Sequence, residues 1–420
     1  MGFADATTEH HEELFQMTAK LLSIPDPCLV VLVGGDDGDR QEFARMHFST
    51  DEIFTLVMGA TREDIAANLR SRSMTVVDAQ NLSFEERLVW YNLARELHTA
   101  AAAVVVAPER NSKDNPFRDV LRRAAKSIRK GEGLYTHAIV TSPSLDDVEV
   151  IRHKLPSDMR GDHGPFDIIG DVHGCRDELE ELLTKLGWTV TWSSNGDKRQ
   201  PELFHPHERK IILLGDLVDR GPHSVDTLLL AEHIVSSGFG YVVLGNHDER
   251  LRRWLDGRKV KVSYGLEQTI SSFRDVPADV AKRLKAFLDS LPSHLVLDDG
   301  ALVAAHAGLT NGMALGSSIK VNEFAIFGKM QLDDGGQNER VDWARDYTDE
   351  AVVVYGHMAQ ESASWRNNTI CIDTSCVFGG ELTALRWPER ELVSVPAHEI
   401  YHPREREVDD LPSLGLNRSP

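Results

Sequence analysis

The chain has 420 residues, more than a single hydrophobic core usually supports, so two or three domains are expected. Hydrophobic residues make up 41% of the chain and charged residues 27%, which is the composition of an ordinary soluble protein. The formal net charge of −20 argues against a long nucleic-acid-binding groove, because such a groove needs a basic surface that neutralises phosphates.

The N-terminal stretch MGFADATTEHHEEL contains neither a basic segment nor a long apolar one, unlike a secretory signal. The longest apolar run, residues 100–107, is much shorter than the ~20 residues that cross a bilayer. Four cysteines without a CxxC pair favour reduced thiols over a disulfide framework. These features predict a cytoplasmic protein with no membrane segment.

The first part of the chain, residues 1–158, alternates apolar strands with amphipathic helices, which is the pattern of an α/β domain. A second series begins after the polar stretch LPSDMRGDHGPF, and we place a second domain at residues 159–400 and a polar tail at residues 401–420. The strands predicted in the first domain are residues 28–35, 74–81 and 101–110, and the helices are residues 37–48 and 83–98. The strands predicted in the second domain are residues 166–169, 210–214, 240–244, 301–305 and 351–355.

Each predicted strand of the second domain is followed by side chains that can bind a metal ion. The motifs are FDIIGDVHG, KIILLGDLVDRG, YVVLGNHDE, LVAAHAGL and VVVYGHM. Because an α/β sheet keeps its site at the carboxyl ends of the strands, we expect these side chains to meet there. The candidate ligands are Asp171, His173, Asp216, Asn246, His306 and His357.

Mixed oxygen and imidazole ligands suit Mn, Fe, Zn or Ni better than Mg or Ca. Two such ions ~3.5–4 Å apart need a shared ligand, and Asp216 is the candidate because it lies in the middle of the series. Together they would activate a water molecule for attack on a phosphoryl group. Arg220 is expected to clamp phosphate oxygens, and His247, with Asp248 available to orient it, is expected to protonate the leaving oxygen.

The motif set GDVHG, GDLVDRG and GNHDE, with the two isolated histidines, resembles the phosphoprotein-phosphatase type of calcineurin-like metallophosphoesterases. The resemblance implies a β-sandwich flanked by helices with a dimetal site at its edge. It also implies that Asp171 and His173 bind the first metal, that Asn246, His306 and His357 bind the second, and that Asp216 binds both. Periodicity alone predicts only an α/β fold.

Two further stretches, HGPFDIIGDVHGCRDELEELLTKLGW and NNTICIDTSCVFGGELTALRWPERELVSVPA, resemble the bacterial polynucleotide kinase-phosphatases of RNA repair. By this resemblance, Asp373 of the second stretch would help to shape the phosphatase site. The layout of the first domain, a strand followed by a turn and a helix, resembles the P-loop kinase domain that precedes such a phosphatase. The segment at residues 328–347 departs from the pattern of that family and is expected to influence substrate choice.

The kinase-like domain departs from its own pattern at the phosphate-binding loop. A P-loop reads GxxxxGK[ST], whereas this chain reads GGDDGDRQEF, with Arg40 and Gln41 at the Lys and Ser/Thr positions. Three aspartates add negative charge to a loop that would have to hold phosphate. We therefore predict a pseudokinase with no cofactor bound at the glycines of this loop, which are Gly34, Gly35 and Gly38.

These observations lead to the hypothesis of a phosphatase that uses two divalent metal ions. The expected metal is Mn, and Ni, Fe and Zn are the alternatives. The expected substrates of this phosphatase are RNA 3′-phosphate ends, 2′,3′-cyclic phosphates or nucleotides. A dinucleoside-polyphosphate hydrolase and a Ser/Thr protein phosphatase are alternatives, because they share the same type of site. A third alternative is a binding or dimerisation protein whose kinase-like module places the phosphatase. By analogy with the relatives, a homodimer is expected.

Overall fold

The structure is a computed structural model that describes residues 21–34, 36–107, 117–129, 132, 136–141, 148–195, 198–332 and 338–403. It divides into two compact units. The first unit contains the described residues up to Leu155 together with Gly316–Lys320, and the second contains Pro156–Leu315 and the described residues from Val321 onward. Within the described parts of the chain, no helix has both the length and the apolar character needed to cross a membrane.

The first unit is built on a five-stranded sheet in the order β3-β4-β2-β5-β6, and all four pairings between neighbours are parallel. A separate parallel pair joins β1 to β7. The strands are β1 (Leu21–Asp26), β2 (Cys28–Val33), β3 (Ile53–Thr55), β4 (Thr75–Asp78), β5 (Ala100–Ala107), β6 (Thr136–Thr141) and β7 (Glu149–Lys154). The central strand β2 is buried along its whole length, as its continuous apolar sequence predicts.

Four helices connect the strands of this sheet, and the parallel α/β arrangement predicted for the first domain is confirmed. The helix α3 begins at a capping box, in which Ser83 accepts from the Glu86 N–H and the Glu86 side chain accepts from the Ser83 N–H. The helices are α1 (Asp37–His47), α2 (Arg62–Arg70), α3 (Phe84–Glu96) and α4 (Arg118–Arg129).

The short segment Gly316–Lys320 belongs to the first unit, although the sequence placed it in the second domain. The Ala100 N–H donates to Ser317 Oγ (2.8 Å), and the Ser317 N–H donates to the His98 carbonyl (2.9 Å). These bonds attach the segment to the start of β5. Such a contact between distant parts of the chain cannot be read from local pattern.

Arg40 fills the loop that the sequence compared with a phosphate-binding loop. Its Nη1 donates to the carbonyls of Gly34 (2.6 Å) and Asp36 (3.0 Å), and its Nε donates to Asp78 Oδ1 (3.0 Å). Both Arg40 and Asp78 are fully buried. A phosphate-binding loop directs N–H groups inward, whereas this loop directs carbonyl oxygens at a cation. The loop as described is therefore suited to Arg40 and not to an anion; Gly35 lies outside the described residues.

The second unit is a sandwich of two mixed sheets, with orders β13-β12-β9-β21-β22 and β19-β20-β18-β15-β14-β8. This architecture confirms the fold implied by the motif resemblance. The strands of the first sheet are β9 (Phe166–Ile169), β12 (Lys210–Leu213), β13 (Gly240–Val242), β21 (Glu381–Trp387) and β22 (Glu391–Pro396). Those of the second sheet are β8 (Asp158–Met159), β14 (His294–Leu297), β15 (Leu302–Ala305), β18 (Val352–Tyr355), β19 (Ser364–Arg366) and β20 (Thr369–Cys371).

The space between the two sheets is filled by apolar side chains from both, including Ile168, Ile212, Val354 and Ile370. Helices cover the outer faces and form two further apolar clusters. The helices are α5 (Arg176–Leu186), α6 (Ser224–Ser236), α7 (Asn246–Leu255), α8 (Leu266–Phe273), α9 (Ala278–Ser290) and α10 (Ile319–Phe327). Two hairpins complete the unit, β10 (Thr189–Asn195) with β11 (Lys198–Phe204) and β16 (Met330–Leu332) with β17 (Asn338–Arg340).

The buried pair of Arg40 and Asp78 gives a test of the first unit. Replacing Arg40 by Met should lower the free energy of unfolding by about 3–5 kcal/mol, because a buried carboxylate would lose its cation. Arg70→Met is the matched control, since Arg70 pairs with Glu63 at the surface and its loss should cost about 0–1 kcal/mol. Urea unfolding of the full chain, followed by hydrogen exchange in peptides from β2, measures the loss of unfolding free energy in both variants. Equal losses of stability in the two variants would contradict the role of Arg40 as the cation that neutralises Asp78.

Candidate dimetal centre

The predicted ligands follow the strands of both sheets. Parallel neighbours β9, β12 and β13 end just before the GDVHG, GDLVDRG and GNHDE motifs, and the parallel neighbours β15 and β18 end just before the two isolated histidines. Because parallel strands have their carboxyl ends at the same edge, the five loops converge. The residues of these loops that were predicted to bind metal are all buried, namely Asp171, His173, Asp216, Asn246, His306 and His357.

Two glycines permit the closest approaches between these loops. A Cβ atom at Gly356 would lie 1.8 Å from Asp171 Oδ1, and one at Gly245 would lie 2.3 Å from Asp216 Oδ1. Any larger residue at either position would displace a predicted ligand. These two glycines therefore allow the loop backbone to pack against carboxylates of the site.

Five site residues have backbone conformations in the left-handed region, where residues other than glycine are uncommon. Non-glycine residues in this region persist where the surrounding structure holds them, and they cluster at functional sites. The loop backbone is thus shaped to aim these side chains inward. The residues are His173 (φ 45°), Asp216 (φ 47°), Asp219 (φ 75°), Arg220 (φ 70°) and His357 (φ 66°).

His306 directs a lone pair at a group of other acceptors. Its Nδ1 lies 2.9 Å from the Leu214 carbonyl, which can only accept, so Nδ1 carries a proton and in the neutral ring Nε2 presents a lone pair. That Nε2 lies 2.9 Å from Asn246 Oδ1, 3.0 Å from His357 Nδ1 and 3.4 Å from Asp216 Oδ1. Converging lone pairs and a carboxylate repel one another unless a cation lies among them. A backbone carbonyl behind an imidazole is also the usual arrangement of a metal-binding histidine.

His173 shows the same arrangement on the other side of Asp216. Its Nδ1 lies 2.8 Å from the Val218 carbonyl, so its Nε2 is also unprotonated. That Nε2 lies 3.5 Å from Asp216 Oδ2 and 2.5 Å from Arg220 Nη1. The two carboxylate oxygens of Asp216 therefore face two different imidazoles, as a ligand shared by two ions must.

Buried carboxylates around the site also favour cations. Burial raises the pKa of Asp171 well above its ordinary range, and the charges of Asp373 and Asp216 add to this shift. Burial also raises the pKa of Asp373 to about 6. In addition, His357 Nε2 is buried with no hydrogen-bond partner among the described residues. The described residues form two triads that could bind metal, His173–Asp216–His247 and Asp216–His306–His357. Within each triad the donor atoms lie within 4.8 Å of one another, so these residues fit a pair of divalent ions.

Asp171 was expected to ligate the first metal together with His173. In the structure both of its carboxylate oxygens accept from the His357 N–H, at 3.1 and 3.0 Å. The first of the two triads contains His247 in place of Asp171. The role of Asp171 as a ligand stays a prediction, and its carboxylate lies where the two groups of loops meet.

His247 pairs with Asp219 in the structure. Its Nδ1 lies 2.7 Å from Asp219 Oδ2, which leaves Nε2 as the atom that can act on a substrate. Asp248 instead accepts from the N–H groups of Leu217 (2.9 Å) and Gly245 (3.1 Å) and so holds two of the metal-site loops together. The orienting role of Asp248 stays a prediction, and its place in the first turn of α7 directs it at backbone N–H groups.

Asp219 is itself held in place by a distant residue. The Thr269 hydroxyl donates to Asp219 Oδ1 (2.7 Å), and the Asp219 N–H donates to the oxygens of Thr269 and Ser224 (3.1 Å each). Burial raises the pKa of Asp219 to about 7, although the hydrogen bond from Thr269 by itself lowers this pKa. Sequence reasoning could have identified Asp219 from its place in the GDLVDRG motif. Thr269, on α8, follows no motif that sequence reasoning could have used.

The electrostatic setting of His247 suits a group that acts only when an anion is present. Burial, followed by the positive charge of Arg220, holds the pKa of His247 well below its ordinary value. A phosphate beside Arg220 would oppose this second effect and favour the protonated imidazole. Without such an anion the neutral imidazole is favoured.

Two guanidinium groups border the site. Arg220 lies over the Phe378 ring (5.2 Å to the centroid) with Nη1 at His173, and Arg340 donates to the His357 carbonyl (3.0 Å). Arg340 ends the hairpin strand β17 within the segment that the sequence linked to substrate choice, although it was not singled out. Asp373, predicted to shape the site, accepts from the Ser375 N–H (3.1 Å) and is buried.

Comparison with known proteins places these features in a family context. The family model described as calcineurin-like phosphoesterase matches residues 164–389. An asymmetrical bis(5′-nucleosyl)-tetraphosphatase PrpE of Anoxybacillus flavithermus is 39% identical over 242 residues, which cover 56% of this chain and 96% of that protein. Proteins of the same name from a Geobacillus species and from Halalkalibacterium halodurans are 39% and 38% identical, over 97% and 94% of their lengths. These comparisons give no support for a kinase domain.

The shared position of Asp216 predicts a distinctive metal stoichiometry. The wild-type chain should retain about two Mn ions after dialysis, His306→Ala about one and Asp216→Asn fewer than one, because Asp216 faces both groups of ligands. His207→Ala is the control, since His207 is an exposed histidine outside the site. Elemental analysis of the dialysed proteins measures the ratio. Two ions per chain in Asp216→Asn would contradict a shared ligand.

The pairing of His247 with Asp219 predicts a leaving-group effect. Asp219→Asn should lower kcat about 100-fold for phenyl phosphate, because the imidazole loses the partner that fixes its proton. The loss should be smaller for p-nitrophenyl phosphate, whose leaving group departs readily without protonation. Asp275→Asn, at an exposed position between α8 and α9, is the control. Equal losses for both substrates would assign Asp219 a purely structural role.

Proposed function

Because the chain belongs to the calcineurin-like phosphoesterase family, whose members hydrolyse phosphoesters at a dimetal centre, we propose that it hydrolyses dinucleoside polyphosphates. The proposed reaction is asymmetrical cleavage of a dinucleoside tetraphosphate into a nucleoside monophosphate and a nucleoside triphosphate. Its support is the high identity to relatives of that name over nearly their whole length.

The single observation that carries the phosphoester chemistry is the position of Asp216. Its two oxygens face His306 Nε2 (3.4 Å) and His173 Nε2 (3.5 Å), and Oδ1 also accepts from the His247 N–H (3.0 Å). One carboxylate thus joins both groups of metal-competent residues to the residue that would handle the proton. Two divalent ions bound there, which we expect to be Mn, would supply a nucleophile and neutralise phosphate charge.

The remaining steps belong to residues of the chain. Arg220 would bind the oxygens of the phosphate under attack through its planar fork. His247, with Nδ1 held by Asp219, would present Nε2 to the oxygen that leaves and give it a proton. Asp373 would limit the space on the side of Asp171, and Asp248 would keep the loops in place. All these side chains are buried in the structure.

A second candidate is removal of 3′-phosphates or 2′,3′-cyclic phosphates from RNA ends. Its support is the resemblance of two stretches, at residues 163–188 and 367–397, to polynucleotide kinase-phosphatases of RNA repair. The net charge of −20 suits a short footprint at a strand end and not a long groove. Both candidates use the same dimetal residues, and they differ in what surrounds the reacting phosphate.

For the first unit we propose a role without nucleotide phosphorylation. Arg40 uses Nη1 on loop carbonyls, Nη2 on Asp37 (2.5 Å) and Nε on Asp78 of β4, so all three guanidinium nitrogens have acceptors within the unit. The unit would then serve as a packing or binding module for the phosphoesterase, in a chain that we expect to form a homodimer. Its parallel sheet and helices support such a module without requiring ATP.

The first experiment compares substrates for the Mn-loaded protein. Diadenosine tetraphosphate, an RNA 3′-phosphate, an RNA 5′-phosphate and a phosphopeptide are offered side by side, with Asp216→Asn as the control. Chromatographic detection of AMP and ATP in equal amounts from the tetraphosphate, at the highest kcat/KM, is expected. Preference for the RNA 3′-phosphate would replace the proposal by the second candidate. Preference for the phosphopeptide would reject both.

A further inference from the structure

Beside the proposed site, Arg250 extends the charged surface along α7. It lies three residues after His247 on the same helix, a spacing that places both on one side. Arg250 Nη1 donates to the Ser263 carbonyl (3.2 Å), and its guanidinium lies 5.3 Å from the centre of the Tyr264 ring. Lys261 Nζ lies 6.0 Å from the centre of the same ring. We refer to Arg250, Lys261 and Tyr264 as the cation cluster.

The loop that carries the cation cluster is packed against the phosphate clamp. A Cβ atom at Gly265 would lie 2.2 Å from the Arg220 N atom, so the backbone next to Tyr264 touches the backbone of Arg220. Tyr264 itself adopts the left-handed region (φ 57°), which turns the chain between Lys261 and this contact. The cluster is therefore a neighbour of the proposed reaction site and continues it outward.

Arg250 differs from the other arginines around it. Arg252 and Arg253 both pair with Glu249, and Arg258 pairs with Asp256. Among the described residues Arg250 shows no comparable ion pair at the surface. Its Nη1 and its guanidinium contact the Ser263 carbonyl and the Tyr264 ring, and its charge by itself lowers the pKa values of the nearby Asp219 and His247. The Ser263 hydroxyl is buried and lacks a hydrogen-bond partner in the same part of the structure. Arg250 and Lys261 both lie near the Tyr264 ring, in a chain whose net charge is −20.

We propose that the cation cluster binds the phosphates of the substrate that do not react, so that the site selects a polyphosphate chain over a single phosphate. The inference rests on the proposed function and specifies its substrate class. A tetraphosphate carries further anionic groups next to the one under attack, and Arg220 with two metal ions can serve only the reacting one. The face of the Tyr264 ring attracts the positive charges of Arg250 and Lys261, and this attraction reduces the repulsion between them when no phosphate is bound.

The test measures selectivity as the ratio of KM for diadenosine tetraphosphate to KM for p-nitrophenyl phosphate. In the double variant Arg250→Gln with Lys261→Gln this ratio should rise about tenfold, as expected for the loss of charge-assisted bonds. Tyr264→Leu, which keeps both cations but removes their shared ring, should raise it by a smaller factor. Arg258→Gln is the matched control, since it removes a paired charge from the same loop and should leave the ratio unchanged.

Two results would overturn the proposal. The first is an unchanged ratio in the double variant, or one that rises equally in Arg258→Gln, which would indicate general electrostatics. The second is a ratio that rises only when RNA 3′-phosphate replaces the tetraphosphate, which would assign the cluster to an RNA strand. Lys261→Gln alone, at an exposed position, provides a folded single variant for the same comparison if the double variant does not fold.

An inhibition assay separates failure of this inference from failure of the proposed function. If the wild-type protein hydrolyses p-nitrophenyl phosphate but not the tetraphosphate, the proposed function is wrong. Inorganic tripolyphosphate, at fixed free Mn, then serves as a competitive inhibitor of p-nitrophenyl phosphate hydrolysis. Its inhibition constant should be about tenfold weaker in the double variant if the cluster binds polyphosphate. An equal constant in wild type and variant would reject the cluster independently of any substrate.

Discussion

Asp216 is a buried carboxylate whose two oxygens face different imidazoles, and the loops of the second unit are arranged around it. Repulsion among His306 Nε2, Asn246 Oδ1 and Asp216 Oδ1 makes the arrangement unfavourable without positive charge. The loops nevertheless hold these atoms together, through glycines that admit the carboxylates and through backbone carbonyls that fix the imidazoles. The fold thus maintains a site whose stability is linked to cation binding.

The two units deal with buried charge in opposite ways. In the first unit Arg40 supplies the positive charge from within the chain, and Asp78 and the loop carbonyls of Gly34 and Asp36 surround it. Such a site is complete and has no need of a ligand. In the second unit buried carboxylates and imidazole nitrogens converge with no such cation from the described part of the chain at their centre, so the arrangement suits metal ions. The first unit thus neutralises its buried carboxylate from within the chain, whereas the second presents a group of residues that could bind metal.

The orientation of His247 depends on residues outside the group of metal-competent side chains. Its Nδ1 lies beside Asp219, and Thr269 donates to Asp219, so the proton transfer that we propose for His247 would take place from a ring of defined orientation. The backbone at Gly265 packs against the backbone of Arg220, so the loop that carries Tyr264 adjoins the expected phosphate clamp. In our proposals the dimetal residues account for the reaction type and the surrounding cations for the choice among phosphate compounds.

The sequence by itself predicted which side chains would meet at one edge of the sheets, because strand ends and their motifs are local features and parallel strands bring such ends together. It also showed that the loop at Arg40 departs from the pattern of a nucleotide-binding loop. It missed the pairing of Asp219 with His247, the position of Thr269 behind it, and the arrival of Arg340 on a hairpin. Each of these depends on where loops from separate elements close in space. Periodicity likewise predicted buried strands, but the division into two packed sheets was decided by pairings between distant segments, such as β9 with β21, which only the tertiary structure specifies.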